Sequence, residues 1–168
     1  MKALLHFFYP PICLHCGAKS STSLLCPICF DTLTVVSSKG RCPRCFSLRE
    51  GPMCMHCRQK PSHFHRQTAL FDSFDGATEA LFSFKTFDPK LIASLLIWKM
   101  AEENFPSRLT FQAPSPLSEV AAAMQKLWGK RQKSNEGICF LSATLRAPML
   151  PQLKDFSRTL YHIAFAIE

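Results

Sequence analysis

Eight of the nine cysteines in this chain stand in four Cys-x-x-Cys pairs: Cys13/Cys16, Cys26/Cys29, Cys42/Cys45 and Cys54/Cys57. A single pair would fit a redox motif on a strand-to-helix turn. Four pairs, separated by nine, twelve and eight residues, fit metal binding instead. Two cysteines with two residues between them place both sulfurs on one side of a tight turn, whose backbone N–H groups point at the thiolates. Two such turns complete a tetrahedral S₄ cage, the donor set and geometry that suit zinc. Gly17 follows Cys16, where a knuckle commonly needs positive φ, and Pro27 and Pro43 stiffen their turns.

The simplest pairing is sequential. Cys13, Cys16, Cys26 and Cys29 would hold one ion, and Cys42, Cys45, Cys54 and Cys57 a second. The nine- and eight-residue gaps then become short hairpins of two zinc ribbons. A crossed pairing, first pair with third and second with fourth, also stays open, because the middle gap is only twelve residues. Three other chemistries stand beside zinc: disulfides, a Cys₄ iron or iron–sulfur site, and fortuitous buried thiols. Repetition argues against the last, and nothing in the sequence suggests export. Cys139, in "GICFLSAT", reads as a small core residue. His15 and His56 lie inside knuckles whose sulfurs already complete the sites. His63 and His65 read as linker residues.

These sites must be structural. The opening sixty or so residues carry too few large apolar side chains for a core of their own, and metal binding supplies folding energy on the order of 10 kcal/mol per ion. The same stretch is basic. Residues 1–68 hold nine of the twenty Lys and Arg but only two of the twelve acids, so they carry most of the net charge of +8. Two Cys₄–Zn²⁺ sites, each formally −2, would leave a net charge of about +3 there.

The chain of 168 residues, 47% apolar, suits one domain or a small one joined to a medium one. No apolar run reaches the roughly 18–20 residues of a membrane span. "MKALLHFFYPPIC" lacks the long apolar region and cleavage site of an export signal, so a soluble, cytoplasmic protein is expected. Beyond the cysteines, "QTALFDSFDG" reads as a strand and turn, and "ATEALFSFKTF" as a helix with Leu81, Phe84 and Phe87 on one face. Asp88-Pro89 opens a second helix through "KLIASLLIWKMAEE", with Leu91, Ile92, Leu95 and Leu96 facing a core. A short strand is expected within "NFPSRLTFQAPSP". Ser115 and Pro116 then begin a helix with Leu117, Val120, Ala121, Met124, Leu127 and Trp128 on its buried stripe, ended by Gly129. An exposed basic turn, "GKRQKSNEG", follows. "ICFLSATL" and "YHIAFAI" read as strands flanking the proline-broken "APMLPQLKD". Alternating strands and helices predict an α/β module.

"FFYPPICLHCG", the paired knuckles, "RCPRC", "CMHC" and "ALFDSFDGATEALFSFKTF" together resemble the ComF family of bacterial competence-associated proteins. The likeness spans residues 1–100; beyond it, "SPLSEVAAAMQKLWG" and "QLKDFSRTLYHIAFAI" are similar to later family segments. The resemblance implies an α+β protein, with an N-terminal double zinc ribbon over residues 1–62 and a phosphoribosyltransferase-like α/β domain over 63–168. The family's phosphoribosyl diphosphate loop carries two adjacent acids and Thr-Thr-Gly, whose amides and hydroxyls cradle a phosphate. This sequence has neither. Its one acidic pair, Glu102-Glu103, ends a helix. The chain stops about where the loop's strand would begin, so an incomplete domain and no catalysis are expected; a fragment needing a missing part remains the enzymatic alternative.

The family association implies an accessory role in DNA uptake. Lys39, Arg41, Arg44, Arg49, Arg58 and Lys60, beside exposed aromatics, could grip a single DNA strand. A protein-binding module is the other alternative. An incomplete α/β domain should leave a sheet edge unpaired, for a partner or a second copy to cover.

Overall fold

The computed structural model describes residues 11–20, 24–49, 51, 54–82, 88–115, 117–128, 137–145 and 159–167. Several sequence expectations lie outside them: those for residues 1–10, Phe84 and Phe87, Pro116, Gly129 and the basic turn, and the proline-broken segment.

Two short hairpin knuckles open the described chain. In the first, Ile12 bridges Lys19, Cys13 N–H donates to Ala18 O and Gly17 N–H to Cys13 O. In the second, Arg41 bridges Leu48, Cys42 N–H donates to Ser47 O and Phe46 N–H to Cys42 O. The hairpins are equivalent position by position. Gly17 has φ 71° and its counterpart Phe46 has φ 61°. A bulky residue is disfavoured there; Phe46 is offset by burial, with only 2% of its surface exposed. Each knuckle is followed by a one-turn helix, α1 (Pro27–Asp31) and α2 (Met55–Gln59), with Cys26 and Cys54 at the N-caps. The hairpins thus carry the first pair of each quartet, and the gaps expected to form hairpins lead on to helical turns that carry the second. A proline or methionine after the N-cap residue continues readily into helix.

The rest is a mixed α/β fold around four parallel strands: β1 (Arg66–Phe71), β2 (Leu109–Gln112), β3 (Gly137–Thr144) and β4 (Thr159–Ala166), in the order β1-β4-β3-β2. Helices α3 (Gly76–Leu81), α4 (Pro89–Glu102) and α5 (Ser118–Trp128) connect them. Every residue from Leu160 to Ala166 is buried, as a central parallel strand requires. Ile163 and Phe165 face the main core with Ile92, Leu96, Met100, Val120 and Met124. Ala164 packs with Ala69, Val36 and Phe46, and Leu160 with Phe64 and Ile138. At Gly137 an added Cβ would lie 2.6 Å from Thr159 O, so β3 and β4 approach there only without a side chain.

The first expected helix, α3, closes at Leu81 with Phe82 as its C-cap, so it is shorter than the stretch "ATEALFSFKTF", and the other two shift in detail. Asp88 caps α4, accepting from Lys90 N–H at 2.9 Å and Leu91 N–H at 3.3 Å. Ile92 and Leu96 enter the core, whereas Leu91 and Leu95 line an apolar groove of about 610 Å³ with Phe30, Leu33, Val35 and Trp98. Helix α5 begins at Ser118, because Leu117 N–H closes a turn on Pro114 O and the Leu117 carbonyl accepts the first helical bond. Its last turn carries Leu127 into solvent, while Trp128 Nε1 donates to Pro106 O.

The sheet has edges, as expected, but the chain itself covers much of them. The last strand inserts inside the sheet, leaving β1 and β2 as edges. Along β1, Val36 N–H donates to Leu70 O, Asp72 N–H to Thr34 O and Gln67 N–H to Pro43 O. On β2, the Gln125 amide of α5 accepts from Phe111 N–H at 3.1 Å and donates to Leu109 O at 3.3 Å. Chain from the cysteine-rich region covers one edge, and a single side chain blunts the other. Among the described residues, no helix is long and apolar enough to cross a membrane.

Candidate metal centres

The knuckles bring the eight paired cysteines into two quartets: Cys13, Cys16, Cys26 and Cys29, and Cys42, Cys45, Cys54 and Cys57. Within each, the four sulfurs lie within 4.8 Å of one another. The pairing is sequential, and the crossed alternative is excluded. Cys16 and Cys26 sulfurs are 3.7 Å apart, Cys42 and Cys57 3.8 Å, and Cys45 and Cys54 3.3 Å. A tetrahedron with Zn–S bonds of about 2.3 Å has sulfurs roughly 3.8 Å apart. A disulfide would need about 2.05 Å, and all nine cysteines are free.

The quartets are chemically frustrated as thiols. The Cys16 backbone N–H holds the Cys13 thiol down to about 6, and that of Cys57 holds Cys54 down to about 7. The Cys57 N–H lies 3.3 Å from the Cys54 sulfur. Burial pushes Cys29 and Cys57 up to about 12, and it raises Cys45 as well. One sulfur per site thus ionises easily, while its buried neighbours resist adding charge beside it. A divalent cation removes the conflict and lets all four ionise. Each quartet can hold one metal ion, consistent with two zinc ions.

The surroundings differ. Cys13, Cys26 and Cys29 belong to the main core, alongside Leu25, Leu70, Phe71 and Leu81. The second quartet packs as a cluster of its own. His15, His56, His63 and His65 are exposed and stand outside both quartets, and Cys139 is fully buried in the core.

The six cations expected to meet a nucleic acid all sit in or beside the second knuckle and α2. Lys39, Arg44, Arg49, Arg58 and Lys60 are exposed. Arg41 instead ion-pairs with Asp72 at 3.2 Å and lies over the Phe46 ring at 5.1 Å. Among the described residues, no exposed Phe, Tyr or Trp stands beside these cations: Phe46 is buried, and the exposed large apolar side chains there are Leu48 and Met55. Burial of Phe46 against the sheet removes the stacking surface.

A buried ionic network escaped the sequence reading. Lys99, 1% exposed, donates to Val36 O at 2.8 Å and pairs with Glu102 and Glu103, each at 3.0 Å. Ser38 donates to the Glu103 carboxylate, and Arg66 to the Glu103 carbonyl. The signal was present, since Lys99 falls seven residues after Ile92 on the buried stripe of α4. The acidic pair therefore ties α4 to the linker between the quartets. Comparisons with protein-family models, with curated proteins and with solved structures return no match.

Proposed function

We propose that this chain is a zinc-stabilised, noncatalytic protein of the ComF kind, an accessory of competence and DNA uptake whose basic second knuckle contacts single-stranded DNA. The observation that carries the reading is the second quartet, which rigidly presents Lys39, Arg44, Arg49, Arg58 and Lys60 to solvent. Zinc fits the sulfur donors and their tetrahedral spacing. Thiolate ligands suit the reducing cytoplasm. The parallel sheet with connecting helices accords with a phosphoribosyltransferase-like domain. Engagement of Glu102 and Glu103 by Lys99 supports a structural rather than catalytic role for the acidic pair.

Phosphate contacts dominate such binding and make it salt-dependent. Five cations predict a slope of about −3.5 in log K against log salt, hence about a hundredfold loss between roughly 50 and 200 mM. Fluorescence anisotropy with a labelled oligothymidine measures it. Replacing Arg44, Arg58 and Lys60 with Gln should flatten the slope by about 2. Absence of binding at the low-salt end would overturn the DNA role, and native mass spectrometry showing ions other than zinc would overturn the metal.

A further inference from the structure

We infer that a polar pocket beside the second metal centre receives a guanine base of the bound strand, an inference resting on the nucleic-acid reading above. The pocket, about 230 Å³, lies where the second knuckle meets the start of β1 and the end of α4. That is below the roughly 300–1,000 Å³ of sites for drug-sized ligands, so it suits one heterocycle rather than a whole nucleotide.

Charge argues against a phosphate guest. The two lining cations, Arg41 and Arg66, are equalled in number by the two lining carboxylates, Glu102 and Glu103, leaving no surplus to hold an anion. What remains uncommitted is a mixture of donors and acceptors. Arg66 pairs with no carboxylate among the described residues; it donates to the Glu103 carbonyl and lies over the Phe105 ring at 5.9 Å. Among the described residues its other N–H groups meet no further acceptor, and it lines the cavity. Glu102 is half-exposed and gives Lys99 only Oε2. The Asn104 amide also lines the space, on a backbone with φ 52°.

A guanidinium fork and a carboxylate bordering one cavity match one base best. Guanine offers adjacent acceptors, O6 and N7, on one edge, which Arg reads bidentately, and an N2 amino donor for a carboxylate on another edge, whereas unpaired cytosine crowds its O2 and N3 acceptors and its amino group onto a single edge. Adenine replaces O6 with a donor, and thymine has no amino group. Arg41, held by Phe46 and Asp72, adds a flat cation to the lining on which an unstacked base can rest. Lys39 and Arg44 flank Arg41 in the chain, so a strand held by them passes the pocket.

The test compares oligothymidine with the same strand carrying one central guanine, using the full metal-loaded chain. The guanine strand should bind about tenfold tighter, the scale of one good bidentate contact. Arg66→Gln and Glu102→Gln should each bring the two affinities together. Glu102→Gln leaves the Lys99–Glu103 pair in place, so it keeps the test sound where Arg66→Gln fails to fold. Equal affinities for the two strands, or a preference surviving Glu102→Gln, overturn the pocket while leaving the DNA reading intact. If neither strand binds, the DNA reading is what fails, and titration with free 5′-GMP decides the pocket. Saturation that Glu102→Gln weakens supports it, and no saturation overturns it.

Discussion

His162 is buried to 1% exposure in the central strand, with its Nε2 2.8 Å from Ser142 Oγ and its ring stacked on Phe64 at 5.1 Å. Its Nδ1 has no partner among the described residues, and burial pushes its pKa down to about 4. The unfolded chain therefore takes up a proton that the folded one refuses as pH falls below about 6.5. Stability should drop through the window from about 6.5 to about 4, by about 3 kcal/mol at its acid end. Urea midpoints across that window should fall less steeply for His162→Phe than for the native chain; parallel curves would show that His162 does not titrate there. Little of this was legible. In "YHIAFAI" the histidine looks like one polar residue in an apolar run, and only the sheet order reveals that both faces of the strand are covered. The quartets were legible because metal binding fixes residue type and spacing together. The fate of Arg41 was not, because its partner Asp72 is thirty-one residues away.

Local signals placed the start of α4 correctly, but a similar Ser-Pro signal at 115–116 misplaced the start of α5. The Asp88-Pro89 start of α4 is written in two adjacent residues. The start of α5 depends on a turn back to Pro114. The sheet edges depend on nothing local at all. Gln125 sits in "AAAMQKLWG" like any surface helix residue, yet its amide replaces a neighbouring strand for β2. Two hydrogen bonds to buried backbone are at stake, each worth about 1 kcal/mol, with a larger cost where a partner is left unsatisfied. Gln125→Ala should destabilise the protein by about 1–3 kcal/mol, and native-state hydrogen exchange should find the Phe111 amide among those accelerated. Gln125→Glu keeps the acceptor for Phe111 and loses the donor to Leu109, so it should fall between the two. If Gln125→Ala matches the native chain in both stability and Phe111 exchange, the edge is capped by something else.

Across the whole molecule the two metal centres, alike in sequence, are unequally placed. The first shares its cysteines with the core that Leu70, Phe71 and Leu81 build. Among the described residues, the second is tied to the sheet by Phe46 against Ala69 and Ala164, Arg41 to Asp72, and the Pro43 carbonyl to the Gln67 amide. A structural zinc contributes on the order of 10 kcal/mol to a folded state, and a domain's net stability is only about 5–15 kcal/mol. Losing the first ion should therefore unfold the sheet with it. Losing the second should free residues 41–60 and cost the rest only those ties, a few kcal/mol by the usual worth of a buried side chain and two polar contacts. The comparison is Cys26→Ser against Cys57→Ser, each checked for bound ions by native mass spectrometry. Cys57→Ser should keep one ion, a cooperative unfolding transition and slow exchange at the β4 amides. Cys26→Ser should lose that protection, because its vacancy opens into the core that β4 completes. Equal loss of β4 protection in the two variants would mean that the ties of the second centre carry as much of the fold as the shared core of the first. The asymmetry argued from packing would then be wrong.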